Sequence, residues 1–211
     1  ENALNEYGIY QEDVRNVIIE DDILVIGDYA FNYFTYLTGL EIGNGVTSIG
    51  ESAFESCSEL TRVEIPDSVT SIGNSAFSCC SELAEVKIGN CVKTIGEYAF
   101  WACSDLTSIE IPDSVTRISE EAFAECNDLT DVKLGSGITF IEESAFIRCY
   151  NLTNIEIPDS VTYLGHNAFY GCESLTDIKI PGSIEVIEYA TFSYCNNLTN
   201  VELSDGVRNI D

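Results

Sequence analysis

Nine cysteines, one histidine and thirty-six acidic residues are the side chains with chemistry to offer in this chain of 211 residues. Thiols can form disulfides, hold a soft metal or act as nucleophiles. Seven of them, Cys57, Cys80, Cys103, Cys126, Cys149, Cys172 and Cys195, recur in steps of 23. A linear column cannot surround an ion tetrahedrally, and parallel Cβ vectors from stacked copies do not converge on a disulfide. These seven therefore read as small buried hydrophobes. Cys79 and Cys91 fall off the column and are expected to be free and semi-exposed. His166 is the lone histidine, so a His-based metal cluster and a Ser-His-acid relay both lack their parts. The acid pairs Glu120–Glu121 and Glu142–Glu143 offer oxygen ligands. Without EF-hand or glycine-rich nonapeptide spacing they allow weak calcium binding at most. Gly43, Gly89 and Gly135 are turn residues rather than a phosphate loop. No catalytic constellation and no cofactor follow from these residues.

The charge excludes more. Nine Lys and Arg against the acids give a formal net charge of −27. Nucleic-acid affinity and docking on anionic membranes both rest on Lys and Arg, so neither is expected. Disorder is excluded by the hydrophobic content of 45%. No run approaches the ~20 apolar residues of a membrane-spanning helix.

The elements that position these residues come from a repeat. Phenylalanine recurs at Phe31, Phe54, Phe77, Phe100, Phe123, Phe146, Phe169 and Phe192, with the same step as the cysteines. The cysteine column lies three residues on, beginning with Phe34 in place of Cys, and a leucine column from Leu37 to Leu198 follows. Leu60 to Ile65 alternates with period two, which predicts a short strand with Val63 and Ile65 inward. A Pro or Gly turn follows, as in Pro66-Asp67-Ser68 or Gly89-Asn90-Cys91, and then Val-x-x-Ile. Ala53, Phe54 and Cys57 have helical spacing and predict a helical turn over 51–58. A unit this small cannot bury its own apolar face and must stack on a copy, which aligns the strands in a parallel sheet.

The phrase Ile-Pro-Asp-Ser-Val-Thr-Ser-Ile-Gly-x-x-Ala-Phe-x-x-Cys-x-x-Leu-Thr, nearly spelled by residues 65–84, resembles the BspA-type leucine-rich repeat. The resemblance covers about residues 14 to 211 and extends to treponemal leucine-rich repeat proteins. It implies an α/β fold: a single right-handed solenoid, its parallel sheet on the concave face and short helical turns on the convex face. It also implies a secreted or surface protein of bacteria or some protist parasites.

Two surfaces are candidate contact sites. Between the inward strand positions the chain reads Glu41, Glu64, Lys87, Glu110, Lys133, Glu156, Lys179, Glu202, an alternation of acid and base from Glu64 on with a period of 46. Side by side on parallel strands these residues form a ladder of pairs. It is either a self-neutralised solvated face or a mixed-charge surface for a protein. The neighbouring outward column includes Arg62 and no aromatic residue. Three consecutive repeats also place Phe140, Tyr163 and Val186 at an outward position, where they either pack laterally or mark a contact patch. Trp101, Ile147 and Tyr170 replace polar residues at one column of the helical turn.

Residues 1–13 do not fit the register and are expected to cap or lead into the solenoid of residues 14–211, about eight repeats with the last incomplete. The chain begins at Glu1 and stops within a repeat, so it is expected to be a piece of a longer protein or to make a contact at its C-terminal edge. Asn151 and Asn197 match glycosylation acceptors only because Leu-Thr belongs to the repeat. The reading is a non-catalytic protein-binding or adhesion module, extracellular or on the cell surface, with a host or neighbouring-cell protein as partner. The alternative is a structural spacer within a larger extracellular protein.

Overall fold

A computed structural model describes residues 11–211. The expected cap or lead-in over residues 1–13 therefore lies outside the described residues, except for a 3-10 helix at Gln11–Asp13. The rest winds into a parallel β-solenoid of about eight turns.

The first strand of each turn is the one the alternation predicts. Arg62–Glu64, Glu85–Lys87, Ser108–Glu110 and Asp131–Lys133 lie side by side in parallel. Their register is the repeat itself, Arg62 opposite Glu85 and Lys133 opposite Glu110. Val63, Val86, Ile109 and Val132 are buried between exposed neighbours. Each turn also has a second strand of two residues that sequence reading did not find. From Val25–Ile26 to Tyr163–Leu164 these pieces form a seven-stranded parallel sheet. Two residues are too few to display a period, so no pattern in the chain announces them.

The turns expected to be helical are not, and the α/β description gives way to an all-β solenoid. Among the described residues there is no α-helix. Ser75, Phe77 and Cys79 donate their backbone N–H to Glu97, Ala99 and Trp101 of the following turn, at 2.8 Å each. Ala76, Ser78 and Cys80 donate three residues back within their own turn. A helix needs every N–H for its own i−4 carbonyl. Here every second one is diverted to a neighbour. The alternation also demands left-handed backbone at two non-glycine positions, φ 53° at Ser75 and 58° at Cys79, and this pair recurs from turn to turn. The 3–4 spacing of Ala, Phe and Cys marks an inward face that helix and ladder share.

The columns build one core. The phenylalanine rings stack in parallel, Phe54 to Phe77 at 5.2 Å and 8°, Phe169 to Phe192 at 5.7 Å and 2°. Phe34, which stands first in the cysteine column, meets Phe31 edge to face at 5.5 Å. Each thiol has a second task beyond filling space. Cys80 Sγ donates to the Phe54 carbonyl at 3.2 Å, and Cys103 repeats this with Phe77 at 3.3 Å. All nine cysteines are free, seven of them buried, with Cys79 half-buried and Cys91 exposed. Burial pushes the Cys126 thiol up to about 12 and the Cys195 thiol to about 11. Thiolate is the reactive form. A thiol reagent near pH 8 is therefore expected to titrate no more than Cys79 and Cys91 in the folded protein and all nine after denaturation. Rapid loss of three or more thiols without unfolding would contradict this packing. Threonine ladders close the flanks: Thr153 Oγ1 donates to the Thr130 carbonyl and Thr130 Oγ1 to that of Thr107, both at 3.0 Å.

Turns are also joined in twos. The residue after each strand alternates as Gly43, Pro66, Gly89, Pro112, Gly135, Pro158. The Asp that follows each of the first two prolines caps the next turn. Asp67 Oδ1 accepts from the Asn90 N–H at 2.6 Å and Asp113 Oδ1 from that of Ser136 at 2.7 Å. The ion pairs Glu64–Lys87 and Glu110–Lys133 link the same two pairs of turns. At Pro181 a second proline stands where the alternation calls for glycine, and there the pairing slips by one turn.

Candidate functional site

The strand face resolves the charge ladder into discrete pairs. Lys87 holds Glu64, Lys133 reaches Glu110 at 2.5 Å, and Lys179 turns forward to Glu202 at 3.2 Å. Arg62 lies between Glu64 and Glu85 at 3.5 and 3.6 Å. Lys87 holds the Glu64 carboxyl below its usual range, and Glu110 pushes the Lys133 ammonium up. All these groups are exposed, so each pair contributes little to stability. The pairing slip leaves Glu156 without an ion pair among the described residues, and Glu41 also has none.

A groove of about 1090 Å³ opens at the N-terminal end of this face. Ile18, Gly39, Glu41, Arg62, Glu64 and Lys87 are among the residues that line it. Ile18 occupies the charged column and is 62% exposed. Gly39 leaves room there for the exposed Asn16 side chain, whose Oδ1 would stand 2.2 Å from an added Cβ and would have to swing aside. Sequence reading began the ladder at Glu41 and so missed Ile18, although it stands one repeat earlier in the same column.

Phe140 and Tyr163 lie on the second sheet and Val186 on the next strand beyond it, Val186–Ile187, each half-buried. The Arg117 guanidinium covers the Phe140 ring at 4.7 Å and pairs with Glu142. Phe140 and Tyr163 are 6.3 Å apart at 49°. Burial, with Glu188, Glu143 and Glu142 nearby, pushes the Tyr163 phenol up. The row is packed along its length and open along its edge. His166 lies 3.8 Å from Glu188.

Like charges also stack on the flank. Burial first, then Glu120, Glu125 and Glu143, pushes the Glu121 carboxyl up. A raised acid holds its proton to higher pH when folded than when unfolded. Its unfavourable contribution is therefore present above the folded pKa and relieved as pH falls through it. Glu121→Gln is expected to stabilise the protein by ~0.2–1 kcal/mol at pH 7, with the gain vanishing near pH 4. Urea denaturation at both pH values checks this, and an equal gain at both would refute it. Among the described residues no three His, Cys, Asp or Glu side chains are grouped to hold a metal ion, and the acid pairs at 120–121 and 142–143 are no exception. No described helix is long and apolar enough to cross a membrane.

Comparison with known proteins agrees with this geometry. A search of curated proteins found no match. A leucine-rich cell surface protein from Faecalibacterium prausnitzii is 33% identical over 92% of this chain and 60% of its own, with a TM-score of 0.58. The T. pallidum leucine-rich repeat protein is 31% identical over 66% of this chain and 65% of its own, with a TM-score of 0.63. A leucine-rich repeat protein from Bacteroides ovatus is 25% identical over 95% of this chain and 64% of its own, with a TM-score of 0.64. The chain thus spans about 60–65% of the length of these relatives. The BspA-type leucine-rich repeat region matches residues 2–130 and 93–211, in six copies. Stacked turns of one fixed length, a phenylalanine and cysteine core and these matches place the chain in one family: it belongs to the BspA-type leucine-rich repeat proteins.

Proposed function

We propose that this solenoid is a non-catalytic binding module of a cell-surface or secreted protein, and that it adheres to a protein of a host or neighbouring cell. Leucine-rich repeat proteins are in general protein-interaction modules. The observation that carries the reading is the packed row of Arg117, Phe140, Tyr163 and Val186. It offers aromatic and guanidinium surface of the kind that anchors interfaces, on a row apart from the strand face with its ladder of ion pairs. The candidate contacts are Phe140, Tyr163 and Val186, together with Arg62, Glu64, Lys87, Glu110, Lys133, Glu156 and Lys179 of the strand face. The location is supported by the surface protein of F. prausnitzii.

The test is binding to immobilised extracellular-matrix proteins at raised salt, comparing the native chain with Phe140→Ser/Tyr163→Ser. Binding that survives salt and is lost in the variant is the expected result. Undiminished binding by the variant removes the aromatic row from the interface, and no binding by either chain removes the adhesive role. A spacer role is supported by the unbroken phenylalanine stack, which stiffens the solenoid along its length.

A further inference from the structure

The face opposite the strands, formed by the long turns, differs from both surfaces above. In the four turns at residues 119–129, 142–152, 165–175 and 188–198 it carries eight Asp and Glu against a single Arg. Five of those acids make no ion pair among the described residues, because Arg117, Arg148 and His166 engage only Glu142, Glu125 and Glu188. On the same turns stand four tyrosines. Tyr189 and Tyr194 are 68% and 65% exposed, Tyr150 is exposed, and Tyr170 is half-buried. The Tyr170 and Tyr194 rings meet at 5.0 Å and 49°.

These groups stand on a fixed frame. Arg148 and Tyr194 occupy the left-handed position of their turns, φ 58° and 61°. The Arg148 N–H donates to the Tyr170 carbonyl at 2.7 Å and the Gly171 N–H to that of Ser193 at 2.8 Å. Ordering the backbone on binding therefore costs little. Arg148 already shows what the face accepts: its guanidinium is held by Glu125 at 2.8 Å. The strand face offers an incoming cation carboxylates of which Glu64, Glu85, Glu110 and Glu202 hold a lysine or arginine already, and no aromatic ring. The long turns carry unpaired carboxylates and open phenol rings on one face, the two groups that hold a guanidinium or ammonium. An anionic partner would be repelled.

We propose that this tyrosine-rich acidic face is a second docking surface, and that its partner is a protein segment bearing arginine and lysine side chains. Cations of the segment stack on Tyr170, Tyr189 and Tyr194 while the unpaired carboxylates of the neighbouring turns attract the rest of the segment. This surface adjoins the Phe140 row through Glu142, Glu143 and Glu188, but its tyrosines are other residues, so each reading can fail without the other.

The probe is a synthetic arginine–serine repeat peptide, with a citrulline–serine peptide as its neutral isostere and a neutral oligosaccharide as the other ligand class. Binding to the 211-residue chain is read by calorimetry at physiological salt. The arginine peptide is expected to bind and the citrulline peptide and oligosaccharide are not. Tyr170→Ser/Tyr194→Ser should weaken the arginine peptide about tenfold with no change in net charge. Phe140→Ser/Tyr163→Ser should leave it unchanged. Since Tyr189 and Tyr194 are exposed, Tyr189→Ser/Tyr194→Ser serves as a second variant if the first melts early. Equal affinity of the native and tyrosine variants would reduce the binding to charge alone and overturn the proposal. So would absence of binding, or preference for the citrulline peptide or the oligosaccharide.

Discussion

Phe100→Ala is expected to cost about 3–5 kcal/mol. Phe100 lies near the middle of the stack, fully buried, with Phe77 at 5.4 Å and Phe123 at 5.3 Å, within 5° of parallel with both. Truncation removes one ring from an unbroken column, so both neighbours lose a face of contact. Collapse into the space would require the turns to approach one another. That is opposed by the ladder in which Phe100 N–H donates to Ala122 at 2.9 Å and Phe77 N–H to Ala99 at 2.8 Å. The cavity therefore stays open, which puts the loss at the upper end of the range. Urea denaturation followed by circular dichroism measures it. A loss below about 1 kcal/mol, the size of an average substitution, would mean that the stack is not a principal source of stability. Because contacts run only between adjacent turns, amide exchange should accelerate most in the turns around Phe77, Phe100 and Phe123.

Gly89→Ala is expected to cost about 1–3 kcal/mol, a large effect for one methyl group, at a glycine buried in its turn. The added Cβ would stand 2.4 Å from the Pro66 carbonyl oxygen and 2.6 Å from its carbon. Both are backbone atoms of the preceding turn and cannot swing aside as a side chain would. Relief requires Gly89 and Asn90 to lift off Pro66 and Asp67, which stretches the 2.6 Å bond from the Asn90 N–H to Asp67. The variant's loss of stability should shrink in an Asp67→Ala background, where that bond is already gone. A cost below about 0.5 kcal/mol, as at an ordinary surface position, would show that neighbouring turns slide freely, contrary to the tight register.

These two positions also show what can be read from the chain. Phe100 was legible because its neighbours recur at a constant step, and a column of identical large side chains has only one physical use. The first strand was legible for the same reason, with Val63 inward between Arg62 and Glu64. The long turn was misread because Ala53, Phe54 and Cys57 define an inward face without saying how the backbone between them bonds. Spacing fixes which side chains point in. The destination of the Ser75 and Phe77 N–H groups depends on a neighbour that spacing does not describe. On the surface, the alternation from Glu64 to Lys179 was plain, but the side each lysine favours was not. Lys133 turns back to Glu110 and Lys179 forward to Glu202, which isolates Glu156. The aromatic row at Phe140 was legible as a column, and its cover by Arg117 became visible only in three dimensions. The tyrosines at 150, 189 and 194 occupy three different columns, so no single period brings them together.

The joining of turns in twos constrains how such a chain can change length. A lone extra turn inserted between residues 64 and 136 would set like beside like, lysine against lysine or proline above proline, and strand one Asp without the N–H it caps. Adding or deleting two turns together there leaves every pair and cap intact. The place that tolerates an odd change is the one already out of step, between Pro158 and Pro181, where Glu156 stands apart. Gain and loss of material across related solenoids of this pattern should therefore run in even numbers through the ordered stretch, with odd numbers gathered at such a seam.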